Sequence, residues 1–385
     1  MSAGYNRTLN VTIDKGTALV RRILDQVNRK VDLVCRERGL SRINFMEVCG
    51  THTMAISESG IRRAVDERLR LLSGPGCPVC VTTQDEIDSA IALARVPDLT
   101  VVTFGDMLRV PGSSESLEQA RARGGDVRVV YSALDALAIA AKEPGRRFVF
   151  LGVGFETTAP TIAAVVLAAR KRRLRNFSVL PMFKLIPPAL QSIAASKRVN
   201  IDGFILPGHV SAIIGAEPYR FLARDHGLPC CITGFEALDV AQGILLLLGQ
   251  MLGGPEVAIQ YRRTVKPNGN PQARKVMETV FKPVDASWRG IGLIRRSGLG
   301  FRAGFARFDG SRQGALGHDP NCAEAIGSCP AAKPQAGCRC GDVMLGVIVP
   351  PECSLFGKRC TPERPVGPCM VSSEGACAAY YKYEQ

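Results

Sequence analysis

The sequence predicts an α/β fold: two Rossmann-like, parallel-sheet α/β domains followed by a smaller, loop-rich C-terminal domain. Three observations carry this. Short apolar runs alternate with amphipathic segments from Gly16 to Leu252, the pattern of strands crossed by helices. Loops rich in Gly, Thr, His and Cys stand where the runs end, which is where open parallel sheets gather ligands. After Gly254 the periodicity stops and Gly, Pro and Cys take over. The expected division is 1–146, 147–255 and 256–385, with a joint near Lys142–Gly145.

In the first unit, Val20, Ile23, Leu24, Val27 and Val31 share one face of a helix within Gly16–Gly39. Asn44–Val48 reads as a strand running into Cys49-Gly50-Thr51-His52. Thr51 or Thr53 is the expected cap of a short helix ending near Gly60. Leu99–Phe104 and Val127–Tyr131 are further strands. The second unit starts with strand Arg147–Val153 and the loop Gly154-Phe155-Glu156-Thr157-Thr158, with Pro160 in a first helical turn. Strand Phe177–Phe183, a helix from Pro188, strand Ile201–Leu206, strand Leu228–Thr233 and a helix over Phe235–Leu252 follow. Pro267–Pro271 reads as a turn or linker, and Ser311–Lys333 as an exposed loop carrying Cys322 and Cys329.

At 385 residues the chain can build two or three cores, and 46% hydrophobic with 22% charged residues is an ordinary globular balance. No apolar run reaches membrane-spanning length, and the first residues hold no apolar leader core, so a cytoplasmic location is expected. The net charge of +14 is spread along the chain. Clusters such as Lys171-Arg172-Arg173-Leu174-Arg175 sit at a helix end, where cations suit the dipole. A solvated basic surface or an acidic protein partner accounts for this better than nucleic acid or membrane.

Fourteen cysteines are many for a reducing compartment, and point to metal or redox use rather than a disulfide framework. Cys35 and Cys230-Cys231 fall in apolar patterns and read as core. Gly74-Pro75-Gly76-Cys77-Pro78-Val79-Cys80 differs. Its thiols stand three positions apart in a Gly/Pro loop, just before the capping box Thr83-Gln84-Asp85-Glu86. A helix N-terminus favours thiolate, so Cys77 and Cys80 read as a redox dithiol or half of a soft metal site. Cys49 and Phe104-Gly105-Asp106, both at strand ends, are expected to share a crevice with them. Gly152-x-Gly154 resembles the start of a dinucleotide fingerprint but lacks its third glycine. His209 reads equally as a ligand or a buried, hydrogen-bonded side chain.

The tail carries Cys338, Cys340, Cys353, Cys360, Cys369 and Cys377 among many prolines and glycines. So irregular a segment needs a staple. The long gaps fit a four-thiolate iron–sulfur cluster better than zinc, which favours paired short spacings; zinc and purely structural thiols remain as alternatives.

Six stretches together resemble the HypD family of hydrogenase maturation factors: Glu47–Met54, Gly74–Cys80, Phe104–Gly112, Gly154–Thr158, Pro207–Ser211 and the tail Pro362–Tyr381. They span nearly the whole chain. The resemblance implies a scaffold, working with a HypC-type small chaperone and a HypE-type cyanide carrier, that builds the Fe(CN)2CO group of [NiFe]-hydrogenases. It implies that the C-terminal domain is an iron–sulfur domain. Its [4Fe–4S] cluster would be held by Cys338, Cys353, Cys360 and Cys377, with Cys340 and Cys369 as a spare redox pair. It further implies that Cys49 binds Fe(II) carrying CN and CO, soft thiolate suiting such iron. Cys77 and Cys80 complete the candidate metal set and would cycle between dithiol and disulfide. His52 would hydrogen-bond a cyanide nitrogen or move a proton, unless it is a satisfied helix-end histidine. A thiol–disulfide oxidoreductase acting on a protein disulfide is the competing function.

Overall fold

The computed structural model describes residues 3–311 and 337–384, with side chains from residue 17 onward. Its strands are β1 (Ile43–Glu47), β2 (Leu69–Ser73), β3 (Leu99–Thr103), β4 (Val127–Val129), β5 (Arg147–Gly154), β6 (Phe177–Phe183), β7 (Gly203–Pro207), β8 (Cys230–Thr233) and β9 (Val257–Ile259). They form two all-parallel sheets, ordered β2-β1-β7-β8-β9 and β4-β3-β5-β6. Runs such as Phe148–Leu151 are buried on both faces, as helix-covered parallel strands must be.

The sheets do not divide at residue 146. Leu99 of β3 pairs with Arg147 of β5, and Phe45 of β1 pairs with Gly203 of β7. The chain therefore leaves the first sheet after β2, builds the second, and returns at β7. Alternating periodicity shows where strands are, not which ones pair. Gly203 marks the join, because a Cβ there would stand 3.0 Å from Pro229 O and 3.1 Å from the Phe45 ring.

The first helix runs Ala3–Arg38 and buries Val27, Val31 and Val34 against Ile244, Leu247 and Leu248 of helix Ala237–Gly253. Among the strands, β2, β9 and a later hairpin went unread in the sequence. β2 is short, and its second residue is Arg70. The hairpin of β10 (Phe281–Trp288) and β11 (Gly292–Phe301) carries exposed charged residues on its outer face. The expected linker at Pro267–Pro271 ends in a helix, Pro271–Val280, capped by Asn270, whose Oδ1 accepts the Ala273 N–H at 3.1 Å. The expected loop Ser311–Lys333, with Cys322 and Cys329, lies outside the described residues beyond Ser311. From Gly337 the tail is short helices and turns, as its Pro and Gly content requires. Its last helix, Ala376–Tyr383, packs on helix Gly50–Glu58, and helix Pro368–Val371 packs on helix Pro78–Val81.

Candidate thiol and metal centre

The carboxyl ends of β1, β2, β7 and β8 meet around Cys49, and helix Pro78–Val81 beside them packs on β5. Just past β1 stands Cys49, which is itself the N-cap of helix Gly50–Glu58 in place of the expected Thr51 or Thr53. The loop after β2 lies directly on it. Gly50 N–H donates to Gly76 O at 3.0 Å, and a Cβ on Gly76 would stand 2.2 Å from Cys49 N. Only glycine lets these backbones meet. From the tail, Glu374 closes the same corner, accepting the Thr51 hydroxyl at 3.0 Å. Burial and the Glu374 carboxylate push the Cys49 thiol up to about 11, against the pull of the Thr51 and His52 amides.

His52 is fully buried. Its Nε2 lies 2.9 Å from Gly234 O and 2.8 Å from Thr233 Oγ1, at the end of β8. A carbonyl only accepts, so Nε2 carries the proton. Nδ1 is then a lone-pair acceptor, buried and without a partner. Burial lowers the ring's pKa to about 4, so it stands neutral. His209 is exposed and stacks on Phe235 at 4.0 Å, so it is not the buried, hydrogen-bonded side chain that was one of its two expected readings. Phe235 also touches the His52 ring at 4.6 Å.

Cys77 caps helix Pro78–Val81, its Sγ accepting the Cys80 N–H at 3.2 Å. The expected capping box on Thr83 follows, with Glu86 returning to Thr83 N–H at 2.8 Å. Cys77 and Cys80 are joined as a disulfide, with Cα atoms 5.2 Å apart, so here they hold each other rather than a metal. Both are buried, at 5% and 1% exposure. Glu86 Oε1 also receives Nζ of Lys184, a fully buried lysine at the end of β6, at 2.6 Å. The Phe104-Gly105-Asp106 loop reaches the tail rather than Cys49, Asp106 Oδ2 accepting the Ser372 hydroxyl at 3.1 Å.

All six C-terminal cysteines line one cavity, closed by Val343, Leu355, Phe356 and Met370. Cys340 is flanked by the Cys338 and Cys369 thiols, and Cys369 by Cys377. Val366 N–H donates to Cys360 Sγ at 3.3 Å. Gly367 is a cradle: a Cβ there would stand 2.5 Å from Cys338 Sγ. Soft donors in an apolar enclosure with an amide aimed at sulfur suit a polynuclear iron–sulfur group. Among the described residues, no three His, Cys, Asp or Glu side chains are grouped for a single metal ion. Gly152-x-Gly154 needs no nucleotide to explain it. A Cβ on Gly152 would strike Val179 and Phe183 of β6, and one on Gly154 would strike Thr158.

Three acidic or basic residues of the site were not singled out in the sequence. Glu156 is buried; Oε1 accepts the Ile186 N–H at 3.0 Å, Oε2 has no partner, and burial raises it to about 7. It stood inside a quoted motif, the signal that could have found it. Glu47, raised likewise to about 7, accepts the Ser73 hydroxyl at 2.8 Å. Arg62 lies 3.7 Å from Glu47, donates to Glu384 at 3.0 Å and covers the Tyr380 ring at 4.7 Å, pinning the last helix. Arg62 has no local signature.

Fold and site define a two-sheet α/β protein that sets a half-buried thiol beside a cysteine pair and docks a cysteine-lined lobe over both. The HypD profile, described as the hydrogenase formation hypA family, matches residues 18–384. The chain is 45% identical over 351 residues to the hydrogenase maturation factor HypD of Cupriavidus necator, covering 89% of this chain and 90% of that one. It is 42% identical over 345 residues to HypD of Escherichia coli (89% and 90%), and 40% over 368 residues to HypD of Rhodobacter capsulatus (95% and 96%). The chain belongs to the HypD family. No described helix is long and apolar enough to cross a membrane.

Proposed function

We propose that this protein is a cytoplasmic [NiFe]-hydrogenase maturation scaffold on which, with a HypC-type chaperone, the Fe(CN)2CO group is assembled. Cyanide arrives from a HypE-type carrier. The observation that carries this is the meeting of Cys49 with the Cys77–Cys80 loop under a lobe of six cysteines. Cys49 binds the iron substrate as thiolate. Its raised pKa keeps the thiol protonated until a cation displaces the proton. His52 keeps a buried, unprotonated Nδ1, which suits accepting a hydrogen bond rather than donating one to a cyanide nitrogen, and its low pKa disfavours a proton-carrying role.

Cys338, Cys353, Cys360 and Cys377 would hold a [4Fe–4S] cluster, which when bound supplies one-electron equivalents. Cys340 and Cys369 pass reducing equivalents to Cys77–Cys80 by exchange. Cys369 thiolate attacks the Cys80 sulfur, and Cys340 thiolate then displaces it. A Cys340–Cys369 disulfide forms as the Cys77 and Cys80 thiols take two protons. Packing of the Cys369 helix on the Cys80 helix supports this order. The depth of Cys77 and Cys80 disfavours the rival reading, since a protein disulfide has no ready approach to them.

The test is infrared spectroscopy of the anaerobic protein purified with its small partner. CN and CO stretching bands are expected, absent from Cys49→Ala while the brown colour stays. Bands that survive in Cys49→Ala overturn the reading.

A further inference from the structure

The tip of the β10–β11 hairpin carries one arginine, Arg289, and drives it between the two thiol stations. Arg289 N–H donates to Val81 O at 2.9 Å, Nε to Thr82 O at 2.8 Å and Nη1 to Gln84 Oε1 at 3.0 Å. Those acceptors follow Cys80 directly. On the tip's other side, Gly290 meets Gly341: a Cβ on Gly290 would stand 2.2 Å from Gly341 Cα, next to Cys340. The Arg289 side chain lines a groove that opens on Cys338 and Cys340 and also holds Asp85 and Asp342, and among the described residues it makes no hydrogen bond or ion pair to a carboxylate. Its Nη2 is buried without a hydrogen-bond partner. A buried donor left unpaired is costly and asks for a reason.

We propose that Arg289 is a positioning residue that sets the reducing power of the cysteine lobe, holding a fixed positive charge beside Cys338 and Cys340 while its three hydrogen bonds clamp the Cys77–Cys80 turn. This rests on the iron–sulfur reading above. A fixed guanidinium favours whichever state of its neighbours is more negative. Uptake of one electron from a low-potential one-electron donor adds one negative charge to the thiolate-held group and makes or breaks no bond. Arg289 therefore makes the lobe easier to reduce.

The experiment is an anaerobic redox titration of the full chain, followed by the visible and electron paramagnetic resonance signals, with iron and sulfide content measured alongside. Arg289→Gln should move the midpoint negative by at least tenfold in the reduction equilibrium, about 59 mV for one electron. Arg289→Lys, which keeps the charge, should stay within about threefold of the parent. Gln84→Glu leaves the clamp in place and pairs the guanidinium, so it should also move the midpoint negative even if Arg289→Gln fails to fold. A loaded parent whose midpoint ignores Gln84→Glu and any folded Arg289→Gln overturns this inference alone. A parent that takes up neither iron nor sulfide overturns the iron–sulfur reading and this inference with it.

Discussion

Gly76→Ala puts a methyl group where the backbone of Cys49 already lies. A carbon placed 2.2 Å from Cys49 N and 2.4 Å from its Cα must retreat beyond 3.0 Å, so the two loops part by about 0.8 Å. Neither side is a flexible side-chain end; both are backbone, held by the Gly50 N–H to Gly76 O bond of 3.0 Å. Overpacking of this kind costs about 1–3 kcal/mol, and stretching that bond costs about 1 kcal/mol more. The expected loss of stability is therefore about 2–4 kcal/mol, read from chemical unfolding. Misplacing a reacting group by about 1 Å can cost about a hundredfold in rate. Hydrogenase activity in a strain whose own copy is replaced should fall by that order, well beyond the fall in protein level. Gly253→Ala, with nothing within 4 Å of its Cβ, is the control and should change neither. A Gly76→Ala protein of parental stability and full maturation activity would refute the claim that close contact between the loops positions Cys49.

Three further outcomes are expected. Cys338→Ala should bleach the brown chromophore and loosen the tail, since a metal staple contributes folding energy; a colourless variant with an unchanged unfolding transition shows the group is not structural. Glu156 is raised to about 7 by burial, so its contribution to stability is complete below the unfolded value near 4.5 and is lost as pH rises through about 7. Glu156→Gln should remove that fall, leaving the variant on the order of 3 kcal/mol more stable than the parent at pH 8 and no better at pH 4.5; parallel unfolding curves across that range contradict the burial argument. Lys184→Met breaks a pair whose lysine is fully buried, and should destabilise by about 3 kcal/mol in denaturant titration, with Glu86→Gln partly restoring the double variant.

The strands were legible because each is an apolar run ending in a loop of Gly, Thr, His or Cys. β1, β3, β5, β6, β7 and β8 all fall within a few residues of the expected spans. What was not legible is pairing. Nothing local in Phe45 says that Gly203 will lie beside it, and so the linear division at 146 missed the return of the chain. β2 and the β10–β11 hairpin escaped notice because Arg70, Lys282, Asp285 and Arg295 interrupt the apolar pattern of exposed or edge strands. The thiols themselves were found from spacing and from the Gly and Pro around them, since those residues mark where backbone must come close. Their gathering in space is a tertiary fact: Cys49 meets Gly76, Glu374 arrives from more than three hundred residues away, and six tail cysteines face one cavity. His52 was visible as a residue, but its tautomer depends on Gly234 O, which no local pattern links to it.

On the reading proposed above, sulfur from distant parts of the chain forms two separate iron-handling places. Iron, sulfide and infrared analysis of the anaerobic complex with its small partner tests it most directly, run in parallel on the parent, Cys49→Ala and Cys338→Ala. Cys49→Ala should lose one iron and the CN and CO bands while keeping all its sulfide, and Cys338→Ala should lose its sulfide. A parent without iron, or a Cys49→Ala protein with unaltered iron and bands, contradicts it.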